Sequence, residues 1–457
     1  MAKIPKTSNQ PHILVFPYPI QGHINPMLQF SKRLSSKGIK VTLITTITLS
    51  KSLPPQSQSG SIRIRPIDDG LKDGDTIKDH ETYLKTFERV IPKSLINLID
   101  EYNNTNKPVT FVVYDCIIPW VLDLTRKKGI DGAPFFTQSA AVHFIHYHVY
   151  KGDLSSPIKG DLVSVPKLPL LRAHEMPSLL VNGECYPGLN VINIKQSSGF
   201  HDAHMLFFNT IDKLEEQVLK WMSKKWPIKT IGPTIPSKYL DKRLEDDQEY
   251  GLSLFEPETN ACIQWLDSNE HNSVIYISMG SLASLGEAQM EQLANGLRQC
   301  GKKFLWVIRA SEESKLPTNF KAEIEEQGLI VNWCPQLAVL AHKAIGCFMT
   351  HCGWNSTLEA ISLGVPLVAM PQWTDQPTNA KHITDVWRIG VRVKVDEKGI
   401  VTKDEVEACV RKVMEGETGV EFKNNVEKLR NVAKDAMEEG GSSDKNIEEF
   451  ALKLMTM

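Results

Sequence analysis

Short apolar runs alternating with helical stretches are the feature that most restricts what this chain can become. HILVF (His12 to Phe16), VTLITT (Val41 to Thr46), TFVVYD (Thr110 to Asp115) and APFFTQS (Ala133 to Ser139) read as strands, since each is short, apolar and bounded by turn residues. Between the first two, PYPIQGH (Pro17 to His23) is a Pro- and Gly-rich loop, and a helix is predicted from about Ile24. Pro26 suits the first turn of that helix, Met27, Phe30 and Leu34 share a face, and Gly38 ends it. Strand, helix and strand make a βαβ unit. A helix near Ile117 to Lys127 continues the alternation.

The pattern lapses between about Gly232 and Asn260, where charge, proline and glycine mark a linker, and then restarts. SVIYIS (Ser273 to Ser278), FLWVIR (Phe304 to Arg309), GLIVNW (Gly328 to Trp333) and IGCFM (Ile345 to Met349) are the next strands, with a helix over Glu287 to Cys300. Further helices are predicted from Asn379 and Thr402, and IEEFALKLM (Ile447 to Met455) is a last one after the breaker GGSS. The expectation is an α/β chain of two doubly wound domains in tandem. A length of 457 residues leaves room for two cores.

Ligands of such sheets bind beyond the carboxyl ends of the strands. Four segments fall there: the loop holding His23, the end of TFVVYD at Asp115, the turn after SVIYIS, and THCGWNSTLE (Thr350 to Glu359). Neither half carries G-x-G-x-x-G or a Walker lysine motif, which disfavours a nicotinamide enzyme or a P-loop NTPase. Lys plus Arg total 52 against 54 for Asp plus Glu, so no net field recruits nucleic acid or an anionic membrane. The eight cysteines form no C-x-x-C pair, the start lacks the apolar core of a signal peptide, and no run reaches a bilayer-spanning length. A cytoplasmic protein with reduced thiols and no membrane insertion is expected. The sequon at Asn355 is discounted on the same ground.

The Thr350 to Glu359 turn has two readings. Its His351, flexible Gly353, Asn355 and Ser356 stand at a helix start, where unpaired N-H groups and the helix dipole suit a diphosphate. Alternatively, Ser356 and Glu359 form a capping box that merely starts the helix. A metal at His351 and Cys352 would need further ligands that the spacing does not offer. His23 and Asp115, on one ligand edge, fit a general base and the group that orients it.

From Trp333 to Gln376 the chain reads WCPQLAVLAHKAIGCFMTHCGWNSTLEAISLGVPLVAMPQWTDQ. This resembles the 44-residue signature of plant family-1 UDP-dependent glycosyltransferases. QGHINP (Gln21 to Pro26), YDC around Asp115, MGSL (Met279 to Leu282) and GGSSDKNIEEF resemble family landmarks too. Met279 departs from the aromatic residue usual at its position. The likeness is greatest to the subgroup acting on phenolic, carboxylic and steroid or triterpenoid acceptors.

The resemblance implies a GT-B fold, with an acceptor domain over 1–240, a UDP-sugar domain over 241–440, and a helix in 441–457 packed back on the first domain. It implies that Trp333 stacks on uracil, Gln336 and Glu359 hold ribose, and Ser281, His351, Asn355 and Ser356 hold the diphosphate. Trp354, Asp375 and Gln376 would meet the sugar, with Thr137 reaching it from the first domain, and Cys334 and Gly353 belong to the same donor block. His23 is then the base that deprotonates an acceptor hydroxyl, Asp115 its partner, and the product inverted. Tyr18, Ile20, Trp120, Tyr147, Met176 and Phe200 lie on segments resembling the acceptor pocket.

The block's ending Trp-Thr-Asp-Gln resembles the pattern of family members that prefer UDP-glucose, and no metal or other cofactor is expected. A steroid or triterpenoid, with flavonoid-type phenols also accepted, is the expected acceptor. A glucose ester on a small aromatic acid is the alternative, and a sugar-nucleotide-binding protein without turnover the other class. A monomer is expected. HFIHYH (His143 to His148) is read as a partly polar helix flanking the acceptor pocket in preference to a metal site.

Overall fold

The computed structural model describes residues 10–52, 62–71, 80–253 and 255–457. The exposed leader expected at residues 1–9 lies outside these. One sheet comprises β1 (His12–Phe16), β2 (Lys40–Thr46), β3 (Arg63–Ile67), β4 (Phe111–Asp115) and β5 (Asp131–Phe136). After a two-stranded antiparallel hairpin, β6 (Leu162–Val163) and β7 (Leu171–Arg172), it is completed by β8 (Leu206–Phe208) and β9 (Ile228–Thr230). The order is β3-β2-β1-β4-β5-β8-β9 and every pairing is parallel.

The second sheet comprises β10 (Val274–Ser278), β11 (Lys303–Val307), β12 (Gly328–Val331), β13 (Ile345–Thr350), β14 (Leu367–Ala369) and β15 (Gly390–Arg392). It is also parallel, in the order β12-β11-β10-β13-β14-β15. Both are doubly wound, and the strand order reverses between β1 and β4 in one and between β10 and β13 in the other.

Burial explains why the central strands carry no polar alternation. All five residues of β1, β4 and β10 are buried. Leu14 and Phe16 face one layer of helices, and Ile13 and Val15 face the other. Each such side chain contributes about 1.5–3 kcal/mol on leaving water. β3 and the long helix His80–Asn103 escaped the reading from sequence, as did the three-residue strands β8, β9 and β15. A strand that short shows no period of its own.

One boundary matters for function. The first long helix spans Gln21–Ser36, three residues earlier than expected. His23 therefore sits in the first helical turn and not in a loop, and Pro26 lies inside the helix.

The final helix, Ser442–Thr456, packs on the first sheet's domain. Its Phe450 meets the rings of Phe207 at 4.7 Å and Phe111 at 5.3 Å, and Ile447, Ala451 and Leu454 share that core. Ser443 Oγ donates to the Gly232 carbonyl at 2.6 Å, and Asn446 Nδ2 to that of Thr230 at 2.8 Å. Among the described residues no helix is long and apolar enough to cross a membrane.

Candidate active site at the facing sheet edges

The two reversal points face each other across a cavity of about 910 Å³, at the upper end of the size typical for small-molecule sites. Tyr18, Ile20, His23 and Thr137 line it from the first sheet's side. Ser281, Trp333, Cys334, Gln336, His351, Gly353, Trp354, Asn355, Ser356, Glu359, Asp375 and Gln376 line it from the second.

His23 follows β1 and Asp115 ends β4, so the fold delivers both to one reversal point. Asp115 is fully buried behind the imidazole, and its Oδ2 accepts from His23 Nδ1 at 2.6 Å. The same oxygen accepts from the Tyr18 backbone N-H at 3.1 Å, and Oδ1 from that of Ile117 at 3.1 Å. Three donors fix the carboxylate, which in turn fixes the ring. Nδ1 carries the proton, and Nε2 keeps a lone pair for the cavity. Thr137 Oγ1 lies 3.4 Å from Nδ1.

At the other reversal point, β13 turns through Cys352 into the helix Trp354–Leu363. Cys352 has φ +65° and Thr374, beside Asp375, φ +53°. Left-handed backbone at a residue other than glycine costs about 1–3 kcal/mol and collects at functional sites. His351 is wedged between two glycines. A Cβ on Gly280, itself at φ +75°, would stand 2.7 Å from the imidazole, and one on Gly353 2.5 Å from Nε2. Burial lowers the His351 pKa to about 4, so the ring that edges the cavity is neutral at pH 7.

Gly353, not Ser356, is the N-cap, and no side chain caps the helix. The capping-box reading is thereby corrected, because Ser356 is already inside the first turn and Glu359 is turned to other partners. Glu359 accepts from Tyr250 Oη at 2.7 Å and from Gln336 Nε2 at 2.6 Å. Gln336 also donates to Ser356 Oγ at 3.0 Å and accepts from Tyr276 Oη at 2.8 Å. Tyr276 Oη also lies 3.1 Å from Cys334 Sγ. Burial raises the pKa of Glu359, and the two donors oppose the rise. Next to this chain the ring of Trp333 lies 4.3 Å from that of Phe255.

At the far end, Asp375 Oδ1 accepts from Thr374 Oγ1 at 2.8 Å and Oδ2 from Asn379 Nδ2 at 2.7 Å. Burial raises its pKa as well. Asn379 Oδ1 accepts from Ser139 Oγ at 3.2 Å, which ties Asp375 to the opposite domain. Gln376 Oε1 accepts from the backbone N-H groups of Gln372 and Trp373. That carbonyl is spent on the loop, so the amide nitrogen is what Gln376 offers a ligand. Trp354 Nε1 donates to the Asn209 carbonyl at 2.6 Å across the cleft.

Four residues expected at the acceptor end are not on the cavity wall. Met176 and Phe200 are buried, and Tyr147 stacks on Phe200 and against Trp226 within the same core. Trp120 is partly buried against that cluster. The wall is built instead by Ile117, Gln138, Leu179, Tyr186, Leu189, Asn193, Gln196 and Trp373. His143, His146 and His148 are buried on the helix Ala140–Tyr150, off the wall, with His143 packed on Phe136 and His148 on Phe144. Tyr250, Tyr276 and Asn379 were missed. Only Asn379 had a signal, standing four residues after Asp375, which is the N-cap of the helix Gln376–Lys381.

Comparison with known proteins places this geometry. Residues 247–439 match the family model for UDP-glucoronosyl and UDP-glucosyl transferase, and residues 10–54 that for a glycosyltransferase N-terminal domain. Mogroside I-E synthase of Siraitia grosvenorii is 49% identical over 97% of this chain and 98% of its own. UDP-glycosyltransferase 74E2 of Arabidopsis thaliana is 49% identical over 96% of this chain and 98% of its own. Among solved structures, Os79 from O. sativa in complex with UDP has a TM-score of 0.91 and 40% identity, covering 97% of this chain and 100% of that one. The same rice protein was solved with U2F and trichothecene. The two-domain GT-B architecture is shown by these likenesses.

Proposed function

This chain belongs to the plant family-1 UDP-glycosyltransferases, and we propose that it transfers glucose from UDP-glucose to a hydroxyl of a bulky apolar acceptor, inverting the anomeric centre. The observation that carries this reading is the make-up of the cavity wall. It joins the His23 base to the His351 cradle and, among the described residues, contains neither lysine nor arginine. A carboxylate acceptor would be desolvated there with no cation beside it, whereas an uncharged fused-ring alcohol pays no such penalty. Two neighbours support the choice: one is named for making a mogroside, a triterpenoid glycoside, and the other was solved with trichothecene.

In this reading His23 Nε2 accepts the proton of the acceptor hydroxyl, and Asp115 stabilises the imidazolium. The oxygen attacks the anomeric carbon as its bond to UDP breaks on the opposite face. Uracil stacks on Trp333, ribose meets Glu359, and Asp375 with the Gln376 amide meets the sugar hydroxyls. The leaving diphosphate is received by neutral donors: Ser281, His351 and the N-H groups opening the Trp354–Leu363 helix, whose dipole favours negative charge. Turnover is therefore expected to survive EDTA. Loss on chelation, restored by Mg²⁺ or Mn²⁺, would refute that point.

The test is incubation with UDP-glucose and a panel of a steroid, a triterpenoid, a flavonol and a benzoate, with His23→Ala in parallel and products read by mass. Hexose adducts on the fused-ring alcohols, absent with the variant, are expected. Adducts on the benzoate alone would overturn the acceptor class and leave the mechanism standing.

A further inference from the structure

Pro26 has no backbone N-H, so the Gly22 carbonyl four residues before it lacks its helical partner. That carbonyl is not left open. Asn355 Nδ2 reaches across from the second domain and donates to it at 2.7 Å. Gly22 immediately precedes His23, and Asn355 is the second residue of the helix whose N-terminus faces the cavity.

We infer that Asn355 is a positioning residue for His23, a role resting on the reading of His23 as the base. An amide nitrogen carries two hydrogens. One binds Gly22, and the other is free to meet an oxygen of the bound diphosphate, so a single group joins the leaving end of the donor to the turn that aims the base. Asn355 is one tie among several between the domains. Trp354 with Asn209, Ser139 with Asn379, and Gln21 Nε2 with the Leu252 carbonyl at 2.9 Å brace the same cleft. Removing the Asn355 amide therefore loosens the His23 turn without opening the cavity.

A double-mutant cycle separates this from a purely phosphate-binding role. Single-turnover transfer from UDP-glucose is measured for the unmodified protein, Asn355→Ala, His23→Ala and the double variant, with UDP affinity of each by calorimetry. If Asn355 acts through His23, its removal costs about tenfold or more beyond what it costs once His23 is gone, the diphosphate contact being lost in both backgrounds. Equal factors in both backgrounds overturn the inference alone. If His23→Ala turns over normally, the base assignment falls and this inference falls with it.

Discussion

Replacing Asp115 by asparagine alters little volume, yet the three donors around the carboxylate leave the amide no good orientation. With its oxygen toward His23, the amide nitrogen faces the Ile117 N-H across what was a 3.1 Å hydrogen bond. With its nitrogen toward His23, it confronts the Tyr18 N-H and donates to Nδ1, which drives the ring proton to Nε2 and abolishes the base. The first orientation keeps the tautomer but offers a neutral carbonyl to an imidazolium. Either way the contribution of general-base catalysis is largely lost, a factor of about 100 to 10,000, equivalent to about 2.7–5.5 kcal/mol of barrier. The opposed N-H groups cost about 1–3 kcal/mol of stability, partly offset because a charge leaves a fully buried site. The assay is UDP release at saturating UDP-glucose with an acceptor from the panel, alongside UDP affinity. A rate within threefold of the unmodified protein, or a loss matched by equal loss of UDP binding, would refute the reasoning.

Asp375→Asn should raise the melting temperature of the free protein while cutting glucose transfer and sparing UDP affinity. The buried carboxyl has a raised pKa, so its charge is a burden at pH 7, and the amide keeps both hydrogen bonds because the Thr374 hydroxyl can accept as well as donate; an unchanged or lower melting temperature would contradict this. Tyr250→Phe removes one of the two donors on buried Glu359 and should weaken UDP binding about ten- to 150-fold, for a lost charge-assisted hydrogen bond of about 1.5–3 kcal/mol. Calorimetry reads it directly, and equal affinity would remove Tyr250 from the site. Burial also lowers His12 and His146 to about 4. Since the unfolded chain binds those protons first, stability is full above about pH 6.5 and falls toward pH 4, by on the order of a few kcal/mol for the pair. His146→Leu should flatten that fall in thermal melts from pH 7 to 4.5, and parallel curves would refute it.

What could be read from the residues was set by how local its cause was. β1, β4, β10 and β13 are continuous apolar runs because both faces are covered, and that is visible in five letters. Pro26 misled, since a proline inside a helix looks like one at its start. Aromatic residues on Ala140–Tyr150 could not be sorted between cavity and core, because nine of the helix's eleven residues are buried and no polar stripe marks a face. The Tyr250 to Glu359 bond spans 109 positions from a linker with no periodicity, so only the folded chain reveals it.

The path of the final helix sets an order of events during synthesis. Between β9, which ends at Thr230, and the helix that starts at Ser442, roughly 210 residues must be made. At about 5–20 residues per second that is about 10–40 s. Throughout that interval the half bearing His23 lacks Phe450 against Phe30, Phe111 and Phe207. The domain begun first is finished last, so the first sheet of a nascent chain waits, with an aromatic patch uncovered, for the second domain to be translated.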